Sequence, residues 1–373
     1  MGFMYYKKLD KLLSQSIYGL KSEDKYPVFI DAVLEVTRHH YEKCKPYRRF
    51  CEKRMFNPDS FSTLDDLTYL PTSLFKDVLL LSVPEDEVFR EIKSSATSTG
   101  RSSRIGLDKE TSRRQSKCFN KVVLDRIGDD RREFIVLDES SSLGKGSVVT
   151  ARSSTIRSLL FCSSEAHTCI VEENGQLRLD ENKLDTLLKM AEKNPGNFII
   201  FGFTFILYIH VIQKLLESGK KYELAGAKIL HIGGWKKLES AKVTPEKLVS
   251  DCCEVLGVLK EDIVDFYGFT EQAGLIYPTC EEGVRHTPVW ADVIVRDPLS
   301  LRSLPIREEG LLQFITPIQT SYPGHSVLTE DVGYIIGVDE CSCGRKGKTF
   351  KVVGRAEKAE VRGCGDIMGD KFA

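Results

Sequence analysis

The chain has 373 residues, with 53 basic and 54 acidic side chains and a formal net charge of −1. That near-balance speaks against a broad basic surface for duplex nucleic acid, and 41% apolar with 29% charged residues places the chain among globular proteins, far from disordered compositions. At roughly 150 residues per domain, the length predicts two or three domains, or one large one with an appendage. Eleven cysteines, odd in number and scattered, do not resemble a secreted disulfide framework, so a cytoplasmic, reducing location is expected. Residues 1–20 contain no apolar signal core, and Tyr6 stands where a myristoylation signal after Gly2 wants Ser or Thr.

In chain order, residues 1–90 read as helices and loops. Val28, Ala32, Val33 and Val36 share one helical face, and Lys45-Pro46 ends that helix. Val78–Val83 predicts a short strand. From there strands and helices alternate: strands at Phe134–Asp138, Phe198–Phe201, Ala227–Ile232 and Ile263–Tyr267, helices at Lys183–Lys193, Phe205–Leu216 and Pro245–Leu256. This rhythm predicts an α/β core over 91–288 with a mostly parallel sheet. Between 289 and 353 the strands Val289–Val295, Gly310–Thr316 and Val332–Val338, separated by Pro and Gly turns, predict a smaller β-rich subdomain. A short tail, 354–373, follows.

Phe198–Ile212 (FIIFGFTFILYIHVI) is a long apolar run, but a membrane span needs ~20 apolar residues. Gly202 and His210 interrupt it. It reads as a buried strand, a turn at Gly202 and a packed helix, so no span is expected. His210 and His231 read as core histidines, and Cys252-Cys253 as helix packing.

Four segments carry chemistry. Residues 94–104 (SSATSTGRSSR) form a loop rich in hydroxyls and amides that can wrap phosphate oxygens, with Arg101 and Arg104 adding charge. It is not a Walker sequence, and the GKGS at 144–147 reads as a turn. Tyr267-Gly268-Phe269-Thr270-Glu271 follows a predicted strand at its carboxyl end, where α/β sheets place ligands. A hydroxyl beside a carboxylate can hold a phosphate oxygen and a magnesium ion together. Asp331, in Thr329-Glu330-Asp331-Val332-Gly333, can accept two hydrogen bonds from a ribose diol. Finally, Gly354-Arg355 precedes Val361-Arg362-Gly363-Cys364-Gly365-Asp366. Cys364, flanked by glycines and close to Arg362, is an accessible thiol whose thiolate a neighbouring cation favours.

Together, in this order, these segments resemble the adenylate-forming (AMP-binding) superfamily. More narrowly the chain resembles the acyl-protein synthetases of the LuxE type. The stretches His39-His40-Tyr41, Lys45-Pro46-Tyr47-Arg48, Pro71-Thr72-Ser73-Leu74-Phe75-Lys76, Gly233-Gly234-Trp235-Lys236, Ser321-Tyr322-Pro323 and Gly363-Cys364 carry that resemblance across nearly the whole chain.

The resemblance implies an adenylate-forming large-domain fold without a full C-terminal lid domain, and a two-step reaction. A long-chain fatty acid carboxylate attacks the α-phosphate of ATP, and a cysteine thiolate then takes the acyl group for delivery to a cysteine of a reductase subunit. Carried over residue by residue, Ser95, Thr97, Ser98, Thr99, Gly100 and Arg101 would bind the phosphates. Thr270 and Glu271 would serve the α-phosphate and magnesium. Asp331 and Arg355 would grip the ribose, with Gly233, Gly234 and Tyr267 along the adenine. Cys364 would be the acylated nucleophile. Phe201, Phe203, Phe205 and Tyr208 would line the acyl channel, although core packing explains them equally.

Two departures stand out. Ala96-Thr97 replaces an early Gly of the phosphate loop, and Ser102 or Ser103 stands where the superfamily ends that loop in Lys. The chain also stops soon after its Arg-Gly hinge, so a tail motion would replace the usual domain rotation. Two other readings remain: a phenylacetate-type acyl- or aryl-CoA ligase, and a catalytically decayed scaffold that binds a reductase. Separately, Cys280, His286, Cys341 and Cys343 offer three thiolates and an imidazole, a set that suits closed tetrahedral zinc. Reduced turn cysteines beside a solvated His are the alternative. Similar Cys/His sets occur in phenylacetate-CoA ligase-like relatives.

Overall fold

The computed structural model describes residues 6–59, 61–94, 102–143, 151–173, 176–234 and 243–356. These fall into two compact units, one from 6–119, 269–275 and 284–356, the other from 120–268 and 276–283.

The first unit opens with three helices, α1 (Lys7–Leu13), α2 (Ser22–Lys43) and α3 (Lys45–Lys53). Ala32, Val33 and Val36 of α2 are fully buried, as their spacing requires. The chain leaves α2 through the extended Cys44, and Pro46 sits in the first turn of α3, where its missing N–H costs nothing. A two-residue strand β1 (Leu70–Pro71) and the one-turn α4 (Leu74–Asp77) come next. Val78–Val83 is not a strand. Its backbone meets a loop instead of a sheet edge, with the Ser82 N–H donating to the Ser321 carbonyl at 2.7 Å. The hairpin β2 (Arg90–Lys93) and β3 (Arg104–Leu107) follows, paired from Arg90↔Leu107 to Lys93↔Arg104.

Helix α5 (Lys109–Ile127) carries the chain into the second unit. There β4 (Arg132–Glu139), α6 (Ala151–Leu159), β5 (Ser163–Glu173), β6 (Gln176–Leu179), α7 (Glu181–Glu192), β7 (Phe198–Phe203), α8 (Gln213–Ser218), β8 (Lys228–Ile232), α9 (Pro245–Leu256), β9 (Ile263–Tyr267) and β10 (Tyr277–Pro278) build one sheet. Its order is β10-β9-β8-β7-β4-β5-β6, parallel from β9 through β5 with antiparallel edges. The winding reverses at β4, so the carboxyl ends of β4 and β7 flank the switch point where such sheets bind ligands. Continuous apolar runs such as Phe198–Phe201 are buried because helices cover both faces of a parallel sheet.

Gly202 does not turn the chain. It stays in β7, opposite His231 of β8, and the strand runs on to Phe203. The helix beyond begins as a seven-residue π-helix, Ile206–Ile212, before α8. His231 is buried, whereas His210 is exposed on this helix and is not a core histidine. Within α9, Cys252 is fully buried and Cys253 packs partly against the same core.

The remaining strands return to the first unit: β11 (Arg285–His286), β12 (Asp292–Arg296), β13 (Gly310–Ile315), β14 (Ser326–Val338) and β15 (Lys348–Arg355). They form an antiparallel sheet ordered β11-β15-β14-β13-β12, with β1 added parallel to β14. Among the described residues, no helix is long and apolar enough to cross a membrane.

A Cβ at position 202 would lie 2.8 Å from Leu137 Cδ1 and 3.0 Å from Leu137 Cβ. Gly202→Ala is therefore expected to cost about 1–3 kcal/mol in urea unfolding, as overpacking does. An unchanged midpoint would mean that Leu137 moves aside freely.

Candidate active site

In the first unit, the turn Thr270–Gln272 is held from both sides of Glu271. The Tyr322 hydroxyl donates to the Glu271 carbonyl at 3.0 Å. The fully buried Gln272 amide donates to the carbonyls of Phe314 at 3.1 Å and Gly324 at 2.9 Å. Phe269 packs on Phe314 with ring centroids 5.3 Å apart. A side chain at Gly324 would lie 2.7 Å from the Glu271 carbonyl and 2.5 Å from the Tyr322 ring, so glycine is required there.

The Glu271 side chain itself is buried, at 6% exposure, and its carboxylate accepts a hydrogen bond from the Ser103 hydroxyl. Among the described residues, no Lys or Arg nitrogen lies within 4.0 Å of it. Burial pushes its pKa up, while Ser103, Lys76 and Arg355 draw it down. A buried carboxylate that is hydrogen-bonded but not neutralised suits a hard divalent cation such as magnesium, which takes oxygen ligands. Thr270, half-buried, stands next to it.

The loop that fixes this turn, 316–326, is in turn fixed by buried polar groups. His39 Nε2 meets the Thr320 carbonyl at 2.8 Å, and His40 bridges Ser82 Oγ at 2.7 Å and the Gln319 carbonyl at 3.0 Å. Arg114 Nη1 donates to the Ile318 carbonyl at 3.0 Å and to Thr320 Oγ1 at 2.9 Å. His325 stacks on His40 at 4.8 Å, and its Nε2 lies 3.2 Å from the Tyr47 hydroxyl. Burial holds these imidazoles neutral: it lowers His40 well below its ordinary pKa and His325 to about 3. The His39-His40, Tyr47 and Ser321-Tyr322-Pro323 stretches thus meet at one loop. Motif reasoning assigned them no role.

Asp331 and Arg355 face each other across β14 and β15, with Arg355 Nε 3.8 Å from Asp331 Oδ1 and Nη2 3.6 Å from Glu330. The guanidinium is exposed.

In the second unit, Gly233 follows β8 at φ +87°, a backbone that favours glycine. Gly234 comes next, and the half-buried Tyr267 ends β9, its ring 6.3 Å from that of Tyr277. Phe203, at the end of β7, lies close enough that a Cβ on Gly233 would sit 3.5 Å from its ring. Phe203 and Phe205 are half-buried, Phe201 is buried, and the Tyr208 hydroxyl donates to Asp251 at 2.7 Å. Thr204 Oγ1 meets His231 Nδ1 at 3.0 Å. Ser95, Thr97, Ser98, Thr99, Gly100, Arg101 and Cys364 lie outside the described residues.

In the first unit, the ligand atoms of His286, Cys341 and Cys343 lie within 4.8 Å of one another, with Cys343 Sγ 3.3 Å from His286 Nε2. Cys280, six residues before His286, falls in the second unit's span.

The family model described as acyl-protein synthetase, LuxE, matches residues 6–373. The chain belongs to that family. It is 26% identical over 346 residues to the long-chain-fatty-acid–luciferin-component ligase of Vibrio harveyi, covering 90% of this chain and 85% of that one. It is 24% identical to the Aliivibrio fischeri enzyme of the same name, covering 91% and 87%. Among solved structures, an open conformation of 2-hydroxyisobutyryl-CoA ligase with 2-HIB-AMP and CoA aligns at TM-score 0.69 and 16% identity, over 91% of this chain and 71% of that one. The LuxE-family chain therefore has the adenylate-forming ligase fold.

Because burial raises the Glu271 pKa in the folded state, its ionisation costs stability as pH rises from the unfolded value through the folded one. Glu271→Gln should therefore raise the thermal midpoint of the metal-free protein at pH 7.5, with the gain gone below about pH 4, near the unfolded pKa. A lower midpoint at pH 7.5 would mean that the carboxylate stabilises the fold.

Proposed function

We propose that this chain activates a long-chain fatty acid with ATP and passes the acyl group through Cys364. The observation that carries this is the family match across residues 6–373. The buried Glu271 carboxylate in the Thr270–Gln272 turn, with no Lys or Arg nitrogen within ion-pair distance among the described residues, supports it.

Fatty acid carboxylate and ATP repel each other, so the site must supply donors and cations where charge develops. The fatty acid oxygen attacks the α-phosphorus, pyrophosphate leaves, and a mixed anhydride with AMP forms. The Cys364 thiolate then attacks the acyl carbon, AMP leaves, and a thioester results. Thiolate is the apt nucleophile because it attacks acyl carbon well near neutral pH.

In this reading Ser95, Thr97, Ser98, Thr99, Gly100 and Arg101 bind the phosphates. Thr270 orients the α-phosphate, and Glu271 holds magnesium, which offsets phosphate charge. Asp331 and Arg355 bind the ribose, and Gly233, Gly234 and Tyr267 flank the adenine. Phe203 and Phe205, at the carboxyl end of β7, are the better acyl-lining residues of their set, since the Phe201 ring and the Tyr208 hydroxyl are committed to packing. Residues 354–373 act as the tail that presents Cys364. The acceptor is a cysteine of a fatty-acid reductase subunit, and the setting is the cytoplasm.

Incubation with ATP, magnesium and tritiated tetradecanoic acid, without CoA, should leave hydroxylamine-labile label on the wild type and none on Cys364→Ser. Label on another cysteine would remove Cys364 from the mechanism. Pyrophosphate exchange without any label would favour transfer to CoA instead.

The Cys/His set supports a structural zinc held by Cys280, His286, Cys341 and Cys343. One zinc per chain is expected by elemental analysis, lost in Cys343→Ser and retained in Cys364→Ser. Equal zinc in both variants would rule the set out.

A further inference from the structure

Ser103 belongs to two structures at once. It extends the β2–β3 hairpin by one pair: its N–H donates to Ser94 Oγ at 2.9 Å, and its carbonyl accepts from the Ser94 N–H at 3.0 Å. Ser94 and Ser103 thereby clamp the base of the hydroxyl-rich segment between them. The Ser103 side chain, 1% exposed, donates to the Glu271 carboxylate.

The surroundings leave this hydroxyl a specific task. Tyr322 and Gln272 fix the backbone of the turn, but a glutamate side chain keeps three torsions of its own. No cation among the described residues lies within ion-pair distance to hold the carboxylate. A neutral hydroxyl can orient it without cancelling its charge, and this hydroxyl is itself anchored by the backbone pairing of Ser103 with Ser94.

We propose that Ser103 is a positioning residue, one that sets the orientation of the Glu271 carboxylate for its divalent cation and joins that carboxylate to the base of the phosphate-binding segment. This rests on the activation reading given above. Glu271 and the Ser94–Ser103 pair are thus linked through a single buried hydroxyl.

The test compares wild type, Ser103→Ala and Ser103→Thr. Fatty-acid-dependent ATP–pyrophosphate exchange is followed against magnesium concentration, and manganese binding with a non-hydrolysable ATP analogue is followed by electron paramagnetic resonance. Ser103→Ala should weaken apparent metal affinity in both about tenfold, the usual size of an outer-shell loss. The fatty acid KM should stay unchanged. Ser103→Thr, which keeps the hydroxyl, should return to within about threefold of wild type. Exchange by the wild type with Ser103→Ala matching it in metal dependence would overturn this role alone. Equal defects in Ala and Thr variants would also overturn it, since packing and not the hydroxyl would then matter. A wild type without any exchange would overturn the activation reading and this role with it.

Discussion

Burying a carboxyl group is expensive, and at Glu271 no cation among the described residues lies within ion-pair distance to offset that cost, so the contacts around this group are the constraint on which the site in the first unit depends. The group cannot be left to choose its own rotamer or its own backbone. Tyr322 and Gln272 hold the turn, Ser103 holds the carboxylate, and Gly324 keeps the space that lets the loop approach. The loop 316–326 must itself be immobile for this to work. His39, His40 and Arg114 supply that by bonding the carbonyls of Thr320, Gln319 and Ile318. Neutral imidazoles suit this layer, since charged ones would add a second desolvation penalty beneath the first.

The second unit solves a different problem. A parallel sheet buried on both faces has its open positions at strand ends, and loops there can carry chemistry without disturbing the core. Gly233 at φ +87°, Tyr267 and Phe203 all sit at carboxyl ends of neighbouring strands. Gly202 illustrates the pressure inside the sheet: Leu137 occupies the space a side chain would need.

Much of this was legible in the chain. Four of the five parallel strands and α9 follow from apolar runs and caps, because strand and helix burial impose recognisable patterns; β5 (Ser163–Glu173), polar at its start, escapes that reading. The family was legible because its motifs recur in order along the whole length. The misreadings have physical causes. Val78–Val83 has the apolar content of a strand but faces a loop, and strand formation needs a partner edge. Gly202 reads locally as a breaker, but a tightly packed neighbour explains it better. His210, in an apolar run, faces outward because a helix exposes part of every run it contains.

The sequence by itself determined the α/β class, the alternation of elements, the family and the residue types available for chemistry, because these depend on local pattern and residue order. Only the tertiary structure decided that the Glu271 carboxylate is buried beside Ser103, 168 positions away. Likewise it decided that the His39-His40 pair and Tyr322 serve one loop, and that Asp331 faces Arg355 across a ladder. Such facts depend on which distant segments share space, and that is set by packing of the whole unit and not by any window of the chain.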